Sequence, residues 1–305
     1  MRTEVFIIHG RKPIFRINSQ TPLPTDVTKR LAKYNNLTQR IITGLLGSAG
    51  VIAGVCIGQW TYFLVFFIIC IFTLLEFYKL VGLDGMIPLK AFGTFCGVSI
   101  FGLSFLIEAR VLPYHFYFLL FPLVSFVYMI KLYKKTERKP FTNIAYTFLG
   151  LFYVSMPFAL LNAAAFHGGV YNYEIIFGCL FILWASDTGA YFAGTLFGKR
   201  KLFERISPKK SWEGFFGGAL LALIFAWGIA QYFHSLDLVE WFIIGVIIII
   251  GGTFGDLIES LLKRSIEIKD SGTSLPGHGG FLDRFDGLLI SIPFIVAYLE
   301  LVVGY

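Results

Sequence analysis

The sequence predicts an all-α, polytopic integral membrane protein of about nine transmembrane helices, with its N-terminus in the cytoplasm. Three observations carry that expectation. The chain of 305 residues is 56% hydrophobic, with a mean hydropathy of +0.72 and only 15% charged residues, against roughly 25% in soluble globular proteins. Apolar stretches of about 20 residues, enough to cross a hydrocarbon core as a helix, recur along it. Lysines and arginines fall in alternate loops. A β-barrel would need short segments of alternating hydropathy instead.

Residues 1–40 lack the apolar core of a secretory signal and read as a cytoplasmic basic tail. Its Arg11, Lys12, Arg16, Lys29, Arg30, Lys33 and Arg40 suit an anionic lipid surface, or serve only to fix topology. Five spans follow within an N-terminal region, 41–170: 41–57, 60–78, 90–107, 114–131 and 143–166. The fifth opens after "KKTERKP", a basic loop ending in a proline suited to a first helical turn. Four more fill a C-terminal region, 171–305, at 174–197, 212–233, 239–261 and 284–303. Of the 26 lysines and arginines, all but Arg110 fall in the tail or in loops of one parity. Positive charge stays on the cytoplasmic side, so that parity is the inner one. Cys56, Cys70, Cys96 and Cys179 lie in apolar segments without a CxxC pair and read as free buried thiols.

Acidic residues carry the functional signal. Asp187 lies in the sixth span, Glu213 opens the seventh, Asp256 and Glu259 end the eighth, and Asp283 and Asp286 open the ninth. All fall toward the cytoplasmic rim, and ionisable groups at membrane depth mark functional sites by default. Asp256, Glu259, Ser260 and Lys263 share one helix face, and Asp283 and Asp286 share another. Carboxylates from two helices suit a hard cation such as magnesium. They also suit simple pairing with Lys263, Arg264 and Arg284, and for Glu259 the two readings weigh equally.

Between those helices runs "KDSGTSLPGHGGFLDRFDG", Lys269 to Gly287. Gly272, Gly277, Gly279 and Gly280 allow close backbone approach, and exposed N–H groups cradle phosphate. Lys269, His278 and Arg284 add donors for phosphate oxygens. In "SPKKSWEG", Ser207 or Ser211 can cap the seventh span, leaving Lys209 and Lys210 at a helix start that also favours anions. No GxxxxGK[ST], GxSxG or HExxH is present, so P-loop, serine-hydrolase and zinc-protease chemistries drop out. The pattern fits phosphoryl or nucleotidyl transfer to a lipid, and nothing in it calls for nucleic acid.

"SLLKRSIEIKDSGTSLPGHGGFLDRFD", Ser260 to Asp286, resembles the signature of the phosphatidate cytidylyltransferase (CDP-diacylglycerol synthase) family. Its Ser-x-x-Lys-Arg, Lys-Asp-x-Gly, Pro-Gly-His-Gly-Gly and Asp-Arg-x-Asp positions are all filled. "SDTGAYFAGTLFGKRKL" and "ISPKKSWEGFFGG" resemble a second family stretch, and "LTQRIITGLL" its usual first-span start. The resemblance implies transfer of the cytidylyl group of CTP to phosphatidate, giving CDP-diacylglycerol and pyrophosphate. It implies a magnesium requirement with an optional second cation, a site facing the cytoplasm in the cell membrane, and a homodimer. On that basis Asp283 is the leading metal ligand, assisted by Asp256, Asp187 and Asp286. Lys209, Lys210, Lys263, Arg264 and Lys269 bind phosphates, joined by Ser260, Gly279, Gly280 and Arg284. His278 donates to a phosphate, acts on the leaving group, or only orders the loop. Acyl chains would enter between spans from the bilayer. Two other readings stand beside it: a CTP-dependent polyprenol or phytol kinase-like enzyme, which would release CDP, and an ion transporter. The transporter would need polar residues through the full membrane depth, whereas the outer acids, such as Glu174 and Glu240, lie only at the rim.

Overall fold

The computed structural model describes residues 36–135, 137–268 and 279–304, with side chains from residue 43. Among the described residues there are ten α-helices: α1 (Asn36–Ile57), α2 (Gln59–Leu83), α3 (Lys90–Glu108), α4 (Leu120–Leu132), α5 (Pro140–Gly150), α6 (Met156–Ala165), α7 (Tyr173–Phe197), α8 (Trp212–Tyr232), α9 (Leu238–Ser265) and α10 (Leu282–Tyr298). A 3-10 turn (Tyr114–Leu119) leads into α4, and a π-helical turn (Leu151–Ser155) joins α5 to α6 as one rod. Among the described residues, eight helical rods are long and apolar enough to cross a membrane. The ninth expected span, α1, has a shorter apolar stretch at Thr43–Ile57.

Local chemistry explains the boundaries. Pro140 opens α5, where its missing N–H costs nothing. Asp237 and Glu240 form a reciprocal capping box at the start of α9. Glu174 accepts the backbone N–H groups of His234 and Ser235 and so ties the start of α7 to the α8–α9 loop. Glu240 is therefore engaged as a cap and Glu174 as a tie between two segments. One element departs from expectation. The basic segment after α7 contains a two-stranded antiparallel hairpin, β1 (Lys201–Phe203) with β2 (Ser207–Ser211). Its charges and Pro208 hide a strand pattern, and proline is tolerated there because both strands are edges. The four cysteines are free thiols, and Cys70, Cys96 and Cys179 are buried as expected, but Cys56, next to the C-terminal end of α1, is exposed instead.

The helices pack in two ways. In α1–α6 the contact surface is aromatic: Phe63, Phe66, Phe101, Phe105 and Phe158 stack edge and face with one another and with Tyr62. Buried polar groups there find partners across helices. Tyr62 donates to Asn162 (3.0 Å), which donates to the Phe101 carbonyl (3.1 Å), and Tyr78 donates to the Thr147 carbonyl (2.8 Å). Lys131, expected as an exposed loop cation, is 2% exposed and is bound by Glu137 and the Ile87 carbonyl. Burial works against the Glu137 charge, but hydrogen bonds from Lys131 and Asn143 outweigh it and hold that carboxyl below its ordinary range.

In α7–α10 glycines bring backbones together, as small residues do in membrane helix pairs. A Cβ at Gly218 of α8 would stand 2.7 Å from the Ser186 carbonyl of α7. One at Gly255 of α9 would stand 2.7 Å from Gly287 Cα of α10. This close approach lets short aspartates on α7, α9 and α10 reach a shared space.

Candidate active site

Four elements supply the site: the α7 C-terminal half, β2 with the start of α8, the α9 C-terminal half, and the first turns of α10. Ser211 caps α8, its Oγ accepting the Gly214 N–H (3.1 Å), as one of the two serines was expected to. Ser207 instead opens β2. The Glu213 carboxylate, exposed in the first turn of α8, accepts the N–H groups of Lys199 and Arg200 (3.0 and 3.2 Å). It thereby closes the base of the hairpin and leaves Lys209 and Lys210 on β2 beside the helix start.

A polar cavity of about 450 Å³ opens between these elements. Lys209, Lys210 and Arg284 line it, together with Asp187, Asp256 and Asp283. A smaller cavity of about 80 Å³ continues beneath, lined by Asp187, Asp256, Asp283, Arg284 and Asp286. Residues from three separate sequence stretches thus meet at one place.

Ion pairs order the interior of the site. Lys210 pairs with Asp256, and Lys263 pairs with both Glu259 and Asp283, the last at 2.9 Å. Asp283 is held from a second side, its Oδ2 accepting the Gly280 N–H at 3.2 Å. Gly279 has φ of +84°, and a Cβ there would lie 2.9 Å from that same Oδ2. Glycine is needed at 279 on both counts. Ser260 is half-buried on α9, and the exposed Arg264 reaches the Ile268 carbonyl (3.4 Å), away from the polar cavity's lining. Lys269 and His278 lie outside the described residues.

Asp286 is 5% exposed, and its Oδ1 accepts the Gly287 N–H at 2.7 Å. Among the described residues no basic side chain pairs with it. A buried carboxylate without a counter-charge is costly, and hard oxygen donors are what magnesium takes. Asp187, Asp256, Asp283 and Asp286 therefore fit a divalent cation by donor chemistry. Among the described residues, however, no three acidic groups already converge as a ligand set, because Lys210 and Lys263 hold Asp256 and Asp283.

Sequence reasoning missed Glu76. This α2 side chain is 4% exposed, and its Oε2 accepts the Phe281 N–H at 2.8 Å, just ahead of α10. A Cβ on Gly280 would collide with the same carboxylate. The signal was available: an acid in an apolar span is a functional flag. Glu76 was not among the acids weighed from the sequence, although it lies within the expected span 60–78. Tyr153 was missed too. It sits in the π-helical turn, and its buried hydroxyl has no hydrogen-bond partner among the described residues.

Comparison with known proteins points one way. The model of the cytidylyltransferase family matches residues 38–302. The chain is 32% identical over 277 residues to the phosphatidate cytidylyltransferase of Bacillus subtilis (strain 168), covering 87% of this chain and 98% of that protein. It is 38% identical over 174 residues to the protein of that name from Staphylococcus epidermidis (strain ATCC 12228 / FDA PCI 1200), and 37% identical over 174 residues to that from Staphylococcus aureus (strain N315). Each of those two alignments covers 56% of this chain and 65% of the relative.

Proposed function

The chain belongs to the cytidylyltransferase family, and from that membership we propose that it transfers the cytidylyl group of CTP to phosphatidate, giving CDP-diacylglycerol and pyrophosphate. It is a nucleotidyltransferase and an integral membrane protein. The observation that carries the reading is the polar cavity, where Lys209, Lys210 and Arg284 face Asp187, Asp256 and Asp283 at the end of membrane helices. Such a site admits a soluble polyphosphate from one side and a lipid phosphate from the other.

The chemistry needs no strong base. An oxygen of the phosphatidate phosphate, already anionic at neutral pH, attacks the α-phosphorus of CTP. A new P–O bond forms as the bond to the β-phosphate oxygen breaks, and pyrophosphate leaves. The obstacle is repulsion between two polyanions, so preorganised positive charge is the main catalytic need. Lys209 and Lys210 sit where the triphosphate would lie. Lys210, paired with Asp256 in this state, exchanges that carboxylate for a phosphate when substrate enters. Lys263, between Glu259 and Asp283, holds Asp283 against the cavity wall.

Asp187, Asp256, Asp283 and Asp286 are the residues that would hold magnesium, which when bound neutralises triphosphate charge and stabilises the leaving pyrophosphate. The basic-loop parity supports a site open to the cytoplasm. Purified protein incubated with CTP, phosphatidate and magnesium should yield CDP-diacylglycerol and pyrophosphate in equal amounts. Release of CDP without a CDP-lipid would replace this reading with lipid phosphorylation.

A further inference from the structure

A second cavity, of about 550 Å³, adjoins the same helix start. Its walls are almost wholly apolar: Gly47 and Gly50 on α1, Val65 and Ile68 on α2, Trp184 on α7. Among the described residues the cation in its lining is Arg284, which also lines the polar cavity, so this guanidinium borders both spaces. Ile68 is 42% exposed, and the groove therefore opens on the outer surface of the helix bundle.

We propose that this groove between α1 and α2 receives an acyl chain of the lipid substrate, with Arg284 at its head against the lipid phosphate. The proposal rests on the phosphatidate reading above and assigns the lipid to a specific part of the fold. Charge and shape agree with one occupant. An amphiphile with an anion at one end and a hydrocarbon tail matches a groove with one guanidinium at one end and apolar walls beyond it. The α1 wall, Thr43 to Val51, rises roughly 12 Å at 1.5 Å per residue, close to the ~15 Å depth of one leaflet. The polar cavity remains for the nucleotide, and Arg284 lies between the two substrates where the new bond must form.

The α1 glycines give the groove its width. A Cβ at Gly47 or Gly50 would meet nothing within 4 Å, whereas one at Gly54 would run into Val65. Side chains added at 47 and 50 thus extend into the groove without striking the protein, while Gly54 serves helix packing.

The test uses full-length enzyme carrying Gly47→Leu or Gly50→Leu, assayed in mixed micelles with dioleoyl- and dihexanoyl-phosphatidate. The expected result is a loss of at least about tenfold in kcat/KM for the dioleoyl lipid. The dihexanoyl lipid and the KM for CTP should change by less than about threefold. Unchanged kinetics on both lipids, or equal loss on both, would overturn the groove. Should the variants fail to fold, wild-type enzyme is irradiated with phosphatidate bearing a photoreactive acyl chain. Labelling within 43–51 or 65–69 supports the assignment, and labelling confined to other helices overturns it. Wild-type enzyme that makes no CDP-diacylglycerol sinks the parent reading, a failure visible before any variant is assayed.

Discussion

Helices α1–α6 and helices α7–α10 solve the same problem, holding polar groups at membrane depth, in opposite ways. The first set spends many of its polar groups on itself, Tyr62 on Asn162, Tyr78 on the Thr147 carbonyl and Lys131 on Glu137, while Glu76 reaches across to the Phe281 N–H. Between them lies a continuous aromatic fill. The second set presses backbones together through Gly218, Gly251 and Gly255 and points its carboxylates into a common cavity. There the acids meet lysines that a substrate can displace. A polar group in the first set is a fastener, whereas one in the second set is a tool. Removing it should cost stability in one case and turnover in the other.

The largest effect expected is on turnover. Asp283→Asn should lower kcat by about a hundredfold to a thousandfold, the scale seen when one preorganised group is lost, with unchanged yield and thermal midpoint in detergent. Activity near that of wild type would break the comparison at its strongest point. Gly255→Leu tests the backbone contact itself. It should abolish recovery of folded protein by size exclusion, whereas Gly228→Ala, where a Cβ meets nothing within 4 Å, should purify and react normally.

Lys131→Met moves the test to the first set. It leaves the partly buried Glu137 without its main cation, which costs about 1.5–3 kcal/mol. The thermal midpoint should fall while the folded fraction keeps its kcat. The pair has a pH signature as well. The Glu137 carboxyl is held below its ordinary range, so its stabilisation is present above the unfolded value of about 4.3 and fades as pH drops through the lower folded value. A Glu137→Gln variant should lose that acid-side slope. Lys209→Ala should raise the KM for CTP or phosphatidate about tenfold with a smaller change in kcat, the pattern of lost ground-state binding. The smallest effect is expected for Tyr62→Phe. Loss of one buried hydrogen bond costs about 1 kcal/mol, with kinetics unaltered. A kinetic defect there would blur the division between the two sets.

Much of this was legible in the sequence because the signals were local. Long apolar runs gave the helical rods, and the aspartates stood out because charges in apolar runs are rare. The convergence of Lys209, Lys210, Asp187, Asp256, Asp283 and Arg284 on one cavity follows from spans that end at the same depth. What escaped was set by pairing across the chain. The β1–β2 hairpin depends on a register that alternating hydropathy does not record among lysines. The burial of Lys131 depends on Glu137 folding back over it. Glu76 depends on a helix more than two hundred residues away. Gly279 and Gly280 were expected to make room for a ligand. In this state the room at Gly279 is bounded by Asp283 and that at Gly280 by Glu76, an exchange visible only once α2 and α10 are side by side.

The Glu76 bond to Phe281 also has a history within each newly made chain. The residues are 205 positions apart, so a ribosome delivers α2 well before α10. Throughout that interval the carboxylate must wait at the membrane without the amide that finally receives it. The bond that bounds the start of α10 therefore closes only once that helix is in place, although its acceptor on α2 was delivered early.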